Sequence, residues 1–374
     1  MKKLRDILML FFICIGLSNC AINTNNQTAN GLIFSEIVEG SSNNRALELY
    51  NTSDNEIDLN EYNINIQLVS GITKIQLEGK LSPKSTYVIV YSESNDELIN
   101  KANLISEKLM FIGAQPIRLM KGRKVIDSLG IWDYQIDYCK NLSLVRKEEY
   151  LLGRKEFDEY DWIRYSLDNY KYLGTIKPSL TEQELLDGPK LTEEDLNRPY
   201  YIKDENNGLL GGGGVSKVTV RSLIDGDTTR FNYDKDILEA LDIKQGASLR
   251  YQNINTPESY PGNIQEFGLV AKAYTNDRLS NSFNIQIQSI LNGALTETYD
   301  RLLGWVWVDG ELLNNTIVRM GYSNVEFNQI DNMFYKEVTY TNFLYNSELY
   351  ARKHNKGIHG EKDPYWDYDN NRPK

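Results

Sequence analysis

The most constraining feature of this chain is the strict two-residue alternation in Tyr62-Asn63-Ile64-Asn65-Ile66-Gln67-Leu68, where every second side chain is apolar. Such a segment buries a single face only as a strand, because a helix would scatter the same side chains around its circumference. LIFSEIV from Leu32, ALELYN from Ala46 and TYVIVY from Thr86 flank it, separated by Asn, Ser, Asp, Gly and Pro. Short strands at that spacing predict a β-sandwich. At 374 residues the chain is long enough for two domains with separate cores. Its 41% apolar and 25% charged residues are the make-up of a folded protein. A net charge of −11 excludes a protein that holds nucleic acid through overall basicity, so any such activity must rest on a local site.

Residues 1–20 read as an export signal. Lys2, Lys3 and Arg5 form a positive start, and Ile7 to Leu17 form an apolar run too short to span a bilayer comfortably. The run ends in Leu17-Ser18-Asn19-Cys20, which resembles a bacterial lipobox, although Asn19 departs from the usual small residue. The resemblance implies lipidation of Cys20 and a chain anchored on the outer face of the cell membrane. A plain cleaved signal would instead give a secreted protein. Residues 21–30, AINTNNQTAN, are polar and small, as a tether requires. Cys14 and Cys20 lie in or at the end of the signal, so Cys139 has no disulfide or metal-ligand partner and is expected in the core.

SEIVEGSSNNRALELYNTSDNEIDLNEYNI, GAQPIRLMKGRKVIDSLG, NLSLVRKEE and DWIRYSLDNYKYLGT follow in order over residues 31–178. Together they resemble a lamin-tail domain, which implies an immunoglobulin-like sandwich. Glu36 and Glu48 on its strands are read as solvated or structural acids, because no nucleophile or base accompanies them. Residues 179–214 are acidic and then glycine-rich, ending in four successive glycines, Gly211 to Gly214. No Lys-Ser/Thr follows the glycines, so a flexible linker is expected rather than a phosphate loop.

Beyond Val215 several features recur in a fixed order. Asp225-Gly226 predicts a tight turn between two strands, with Asp227 opening the second. Arg250 sits inside an apolar strand that ends in Asn255-Thr256-Pro257-Glu258. Phe267, Val270, Ala271 and Tyr274 have the spacing of an amphipathic helix. Arg301 heads the strand YDRLLGWVWVDG. One helix follows, ending near Gly321, and TYTNFLYNSELYARKHNKGI reads as a last one.

This order, over about residues 215–360, resembles the thermonuclease (staphylococcal-nuclease-like) family. The resemblance implies an α+β catalytic domain over 215–362, an OB-fold five-stranded barrel with three helices, followed by a tail at 363–374. The chain as a whole is then mainly β. It also implies calcium-dependent hydrolysis of DNA, with RNA as a further substrate, leaving 3′-phosphate ends. Asp227, Asn255 and the Thr256 carbonyl match its calcium ligands, Arg250 and Arg301 its phosphate-binding arginines, and Glu258 the acid beside the attacking water. Asn255 stands where a well-known member has aspartate, which leaves a usable carbonyl oxygen but one negative charge fewer.

The chemistry needs these residue types. Phosphodiester cleavage adds charge to a group that is already anionic, so fixed cations stabilise the transition state and a carboxylate orients or deprotonates water. Taken singly, Asp227 has a turn to shape, and each arginine has carboxylates to pair with. A non-catalytic nucleic-acid-binding module, or a surface adhesin using its sandwich, remains the alternative. Residues 215–362 carry 15 Lys/Arg against 18 Asp/Glu, a balance that favours splayed or single-stranded segments over stable duplex.

Overall fold

The computed structural model describes residues 31–374 apart from 176–179, 207, 298–300 and 327–331. The signal, Cys20 and the 21–30 tether lie outside the described residues. The chain is mainly β. In the N-terminal half, a six-stranded sheet packs on a four-stranded one. The larger sheet comprises β1 (Leu32–Glu39), β2 (Arg45–Asn51), β5 (Thr86–Tyr91), β6 (Leu104–Ser106), β9 (Ser143–Arg146) and β10 (Trp162–Tyr165), in the order β10-β9-β1-β2-β5-β6. The smaller comprises β3 (Tyr62–Leu68), β4 (Gly71–Gln76), β7 (Ile117–Lys121) and β8 (Lys124–Leu129), in the order β8-β7-β3-β4. The alternation in β3 places Tyr62, Ile64 and Ile66 in a shared core with Phe34, Leu47, Ile89 and Cys139.

The six-stranded sheet is covered on both faces. Val38, Ala46, Val88 and Val90 form a second cluster on its far side with Leu98 and Leu173. Glu36 and Glu48 lie directly opposite each other in the β1–β2 ladder and are both 1% exposed, so they are not solvated strand acids. Ser35 Oγ donates to Glu48 at 2.6 Å and the Gly174 amide donates to its other oxygen. Neither oxygen of Glu36 has a hydrogen-bond partner among the described residues. Burial, reinforced by Glu48, holds the Glu36 carboxyl well above its ordinary range, and burial pushes Glu48 up to about 7.

The C-terminal half is built on β11 (Val215–Lys217), β12 (Thr219–Asp225), β13 (Thr228–Asn232), β14 (Ser248–Tyr251), β15 (Ile285–Gln288) and β16 (Leu302–Val308). Their order is β11-β15-β16-β14-β13-β12, with β14 and β16 parallel and the short strand Glu311–Leu312 added beside β16. The expected closed five-stranded barrel is not what the pairings describe. They run as an open path whose two ends, β11 and β12, are successive pieces of chain separated by Val218. Every residue of β16 is buried, since its neighbours cover the edges while Trp305 and Trp307 meet Tyr340 edge-on, at 5.5 and 5.8 Å between centroids.

Three helices appear where the sequence predicts them: α1 (Gly268–Ser280), α2 (Leu313–Arg319) and α3 (Tyr340–Lys353). A further helix, Lys235–Leu241, lies between β13 and β14. Phe267 does not belong to the α1 turn. It precedes the helix with φ of 64°, and its amide donates to Asp363, so residues beyond 362 are packed against the helix start. The buried face of α1 is accordingly Ala271, Thr275 and Leu279.

The segment expected as a linker is packed instead. Thr181 and Thr192 each close a capping box on a short helix, Glu182–Asp187 and Glu193–Asn197. Tyr200 enters the C-terminal core. Gly211 to Gly214 are buried, and the Gly212 amide donates to the Tyr200 carbonyl at 3.0 Å. A Cβ on Gly212 would lie 2.1 Å from the Pro199 carbonyl oxygen. The glycines allow backbone to pass close to backbone, which a composition-based reading cannot separate from flexibility.

The two halves are in contact. Val145, Ile163, Tyr165 and Tyr172 of the sandwich share a cluster with Leu180 and Leu185 of the connector and with Val338 and Phe343.

Two outcomes test this packing. Gly212→Ala is expected to lower stability by on the order of 1–3 kcal/mol through overpacking, read from urea unfolding; a flexible linker would show no change. The raised carboxyl of Glu48 binds its proton more tightly in the folded chain, so its contribution is full below pH 4.5 and is lost as pH rises towards 7. Glu48→Gln is therefore expected to raise the melting temperature at pH 8 and to leave it nearly unchanged at pH 4.5.

Candidate functional site

The site starts from the turn between β12 and β13. Gly226 and Asp227 make the turn, and Thr275 Oγ1 of α1 donates to the Gly226 carbonyl at 2.7 Å. A Cβ on Gly226 would stand 2.8 Å from Thr256 Oγ1 and 2.9 Å from the Ala271 Cβ, so glycine lets the turn lie against both helix and corner. β13 pairs with β14 so that Thr228 is opposite Arg250, and the Tyr251 amide donates to the Asp227 carbonyl at 2.8 Å. Beyond β14 the chain reverses at Asn253, φ 55°, into the pairing of Ile254 and Asn255 with Val325 and Asn324. Asn255 is additionally held by its amide, which donates to Ser323 Oγ at 2.9 Å.

Asp227 is 2% exposed and fully partnered. Its Oδ2 accepts from the Thr256 amide at 2.7 Å and from Thr256 Oγ1 at 3.0 Å. Its Oδ1 accepts from Thr228 Oγ1 at 3.0 Å and pairs with the Arg250 guanidinium. Arg250 Nη2 also donates to the Ile254 carbonyl at 3.0 Å and to Asn255 Oδ1 at 2.9 Å, and Glu326 lies 3.7 Å away. Hairpin and corner are thus joined through one carboxylate and one guanidinium.

Glu258 completes the group. Its amide donates to Gln265 Oε1 at 3.0 Å, and its carbonyl accepts from the Gln265 amide at 2.9 Å, which closes the loop after Pro257. Burial, a hydrogen bond with Asp225, and the nearby charges of Asp225 and Asp227 raise the Glu258 carboxyl above its ordinary value, while Arg250 opposes the shift. Asp225 is the member that sequence reasoning missed. It ends β12 at the turn, and its Oδ2 accepts from the Ser259 amide at 3.3 Å while its charge lies near Glu258. The signal available was that the Asp225-Gly226-Asp227 triplet carries an acid on each side of its glycine.

The structure therefore brings Asp225, Asp227, Arg250, Asn255, Thr256 and Glu258 together. Arg301 is bonded elsewhere. It immediately precedes β16, the strand paired with β14, and its ion pair is with Glu297. No bond joins it to the cluster among the described residues.

The donor set is all oxygen, as a hard cation such as calcium prefers, and the crowding of acids that adds to burial in raising Glu258 is the local field a cation would relieve. Chemically the residues fit. They do not form a ready-made cage: among the described residues no three acidic, His or Cys side chains are grouped to hold a metal, and both Asp227 Oδ1 and Asn255 Oδ1 are engaged by Arg250. Arg250 must release them for a cation to bind there.

Comparisons with known proteins give a family match and two partial relatives. The Lamin Tail Domain family model matches residues 25–132, which covers most of the sandwich. The SPbeta prophage-derived endonuclease YokF of Bacillus subtilis (strain 168) is 30% identical over 112 residues, covering 29% of this chain and 34% of that protein. Endonuclease YncB of Bacillus subtilis (strain 168) is 32% identical over 114 residues, covering 29% of this chain and 48% of that protein. The chain thus spans between a third and a half of the length of these relatives.

Removing the guanidinium leaves Asp227 buried without its cation. Arg250→Ala is expected to lower unfolding free energy by on the order of 3 kcal/mol, measured by urea titration. A loss below a tenth of that would mean the threonine contacts alone satisfy Asp227.

Proposed function

We propose that this protein is a surface-anchored endonuclease that hydrolyses phosphodiester bonds of DNA and, as a further substrate, RNA. The observation that carries the reading is the convergence of Arg250 with Asp225, Asp227 and Glu258 at the Asn255-Thr256-Pro257 corner. The partial similarity to two proteins named endonucleases supports the reaction class. The parallel pairing of β14 with β16, and two sheet ends that are successive pieces of chain, support an OB-fold-like arrangement whose strand pairings form an open path. Anchoring through a lipid on Cys20 rests on the lipobox-like LSNC segment.

The chain's own residues divide the work. Arg250 is held by oxygens, and an incoming phosphate competes with Asp227 and Asn255 for its N–H groups, offering bidentate acceptors in exchange. Arg301 supplies a second cation on the neighbouring strand and must turn from Glu297 to do so. Glu258 orients the attacking water and accepts its proton, a role suited to a carboxylate whose basicity has been raised. Asp227, Asn255 Oδ1 and the Thr256 carbonyl would hold calcium, which supplies positive charge to the phosphoryl oxygen when bound.

The purified chain, given labelled single-stranded DNA, duplex DNA and RNA in calcium or EDTA, is expected to cleave single strands in calcium alone. Glu258→Gln and Arg301→Ala should each reduce kcat by roughly 10²-fold or more. Because ionised Glu258 is the working form, activity should fall as pH drops far enough to protonate it. Asp225→Asn, which removes one of the groups raising the Glu258 carboxyl, should move the acid limb of the profile to lower pH. Binding without cleavage would make the module a nucleic-acid-binding one, and an unmoved acid limb would remove Glu258 from its assigned role.

A further inference from the structure

Helix α3 is buried on almost every side: Tyr340 to Leu344, Asn346 to Glu348, and Ala351 are all enclosed. A helix on a protein surface leaves one face to water, and this one does not because it has a domain on either side. Towards the C-terminal core, Tyr340 packs on Trp305 and Trp307, and Thr341 Oγ1 accepts from Asn253 Nδ2 at 2.6 Å. Glu348 accepts from the Val325 amide at 3.1 Å. Towards the sandwich, Phe343 joins Ile163 and Tyr165, and the Arg164 guanidinium lies 4.2 Å from the Tyr345 ring. The Tyr345 hydroxyl donates to Glu159, and Lys353 Nζ sits 3.7 Å from the Tyr160 ring.

The inner contacts of α3 end on the site. Asn253 is the left-handed residue that turns the chain into the corner, and its carbonyl accepts from the Glu326 amide at 3.0 Å. Val325 pairs with Ile254, beside Asn255, whose amide oxygen holds Arg250. One helix thus presses the corner with one face and is pressed by the sandwich with the other.

We propose that the sandwich is a positioning element of the site: by docking on α3 through Glu159, Tyr160 and Arg164, it holds the helix against Asn253 and Val325 and fixes the corner bearing Asn255, Thr256 and Glu258. The activity part of this proposal rests on the nuclease reading; the structural part does not. Arg164, Tyr345 and Lys353 are positioning residues, since none touches the reacting atoms. Small displacements of positioned groups are costly to catalysis, so a loosened corner should lower turnover more than substrate binding.

The test uses the full chain carrying Tyr345→Phe, Arg164→Ala, or both, with Lys121→Ala as a control on the other sheet, where Lys121 pairs with Glu61. Amide hydrogen exchange of residues 253–258 and 323–326 is expected to quicken about tenfold in the double variant. Its kcat should fall on the order of ten- to a hundredfold with little change in KM, and Lys121→Ala should match the parent in both. If Arg164→Ala does not fold, Tyr345→Phe decides alone through the same exchange measurement. Unchanged exchange at the corner in variants that fold would overturn the proposal. A parent chain that cleaves nothing would end the nuclease reading while the exchange result still decides the positioning role.

Discussion

The Asp227 carboxylate is where the C-terminal architecture is tied together. It sits in a two-residue turn, yet its oxygens receive a backbone amide and two hydroxyls as well as a guanidinium. A carboxylate that is 2% exposed stands only when every acceptor position is met. Meeting them draws the Thr256 corner onto the β12–β13 turn and aligns Arg250 inward from β14. The remaining acids are then brought close by covalent geometry: Asp225 is two residues before Asp227, and Glu258 two residues after Thr256. Burial first, and then their mutual crowding, raise Glu258, so an electrostatic property of the site follows from a packing requirement of the fold.

The same economy of contacts is visible in α3. It supplies aromatic packing for the all-buried β16 strand, hydrogen bonds for the corner, and a docking face for the sandwich. The connector adds to this arrangement, since the Leu186 carbonyl accepts from Asn315 and Arg319 of α2 at 3.1 and 2.7 Å. The two domains therefore meet through a shared apolar cluster and not only through the chain that links them. The sandwich sheet that faces this cluster also carries Glu36 and Glu48, whose carboxyls burial holds above their ordinary range.

Much of this was legible from residue order. Alternation in Tyr62–Leu68 identified a one-sided strand, the amphipathic and turn patterns located three helices of the C-terminal half, and Asp227, Arg250, Asn255, Thr256 and Glu258 were singled out by type and spacing. Local rules suffice there, because the period of a strand or helix and the residue preferences of a turn are properties of neighbouring residues. Asp225 escaped because its partner is Ser259 and its neighbour Glu258, more than thirty residues away. Gly211 to Gly214 escaped because glycine serves flexible chain and close-packed chain equally well, and only tertiary neighbours such as the Arg198, Pro199 and Ile290 carbonyls distinguish the two.

What the amino-acid sequence determined by itself was which segments become strands and helices and which residue types gather at the candidate site. What only the tertiary structure decided was who meets whom: that Arg250 is engaged by Asp227 and Asn255, that Arg301 is turned to Glu297, that two strand glutamates are sealed from water, and that α3 has a domain on each face. Secondary structure follows from bonding and side-chain direction within a few residues. Partnership between distant charges and surfaces depends on burial, which exists only once the whole chain has closed around them.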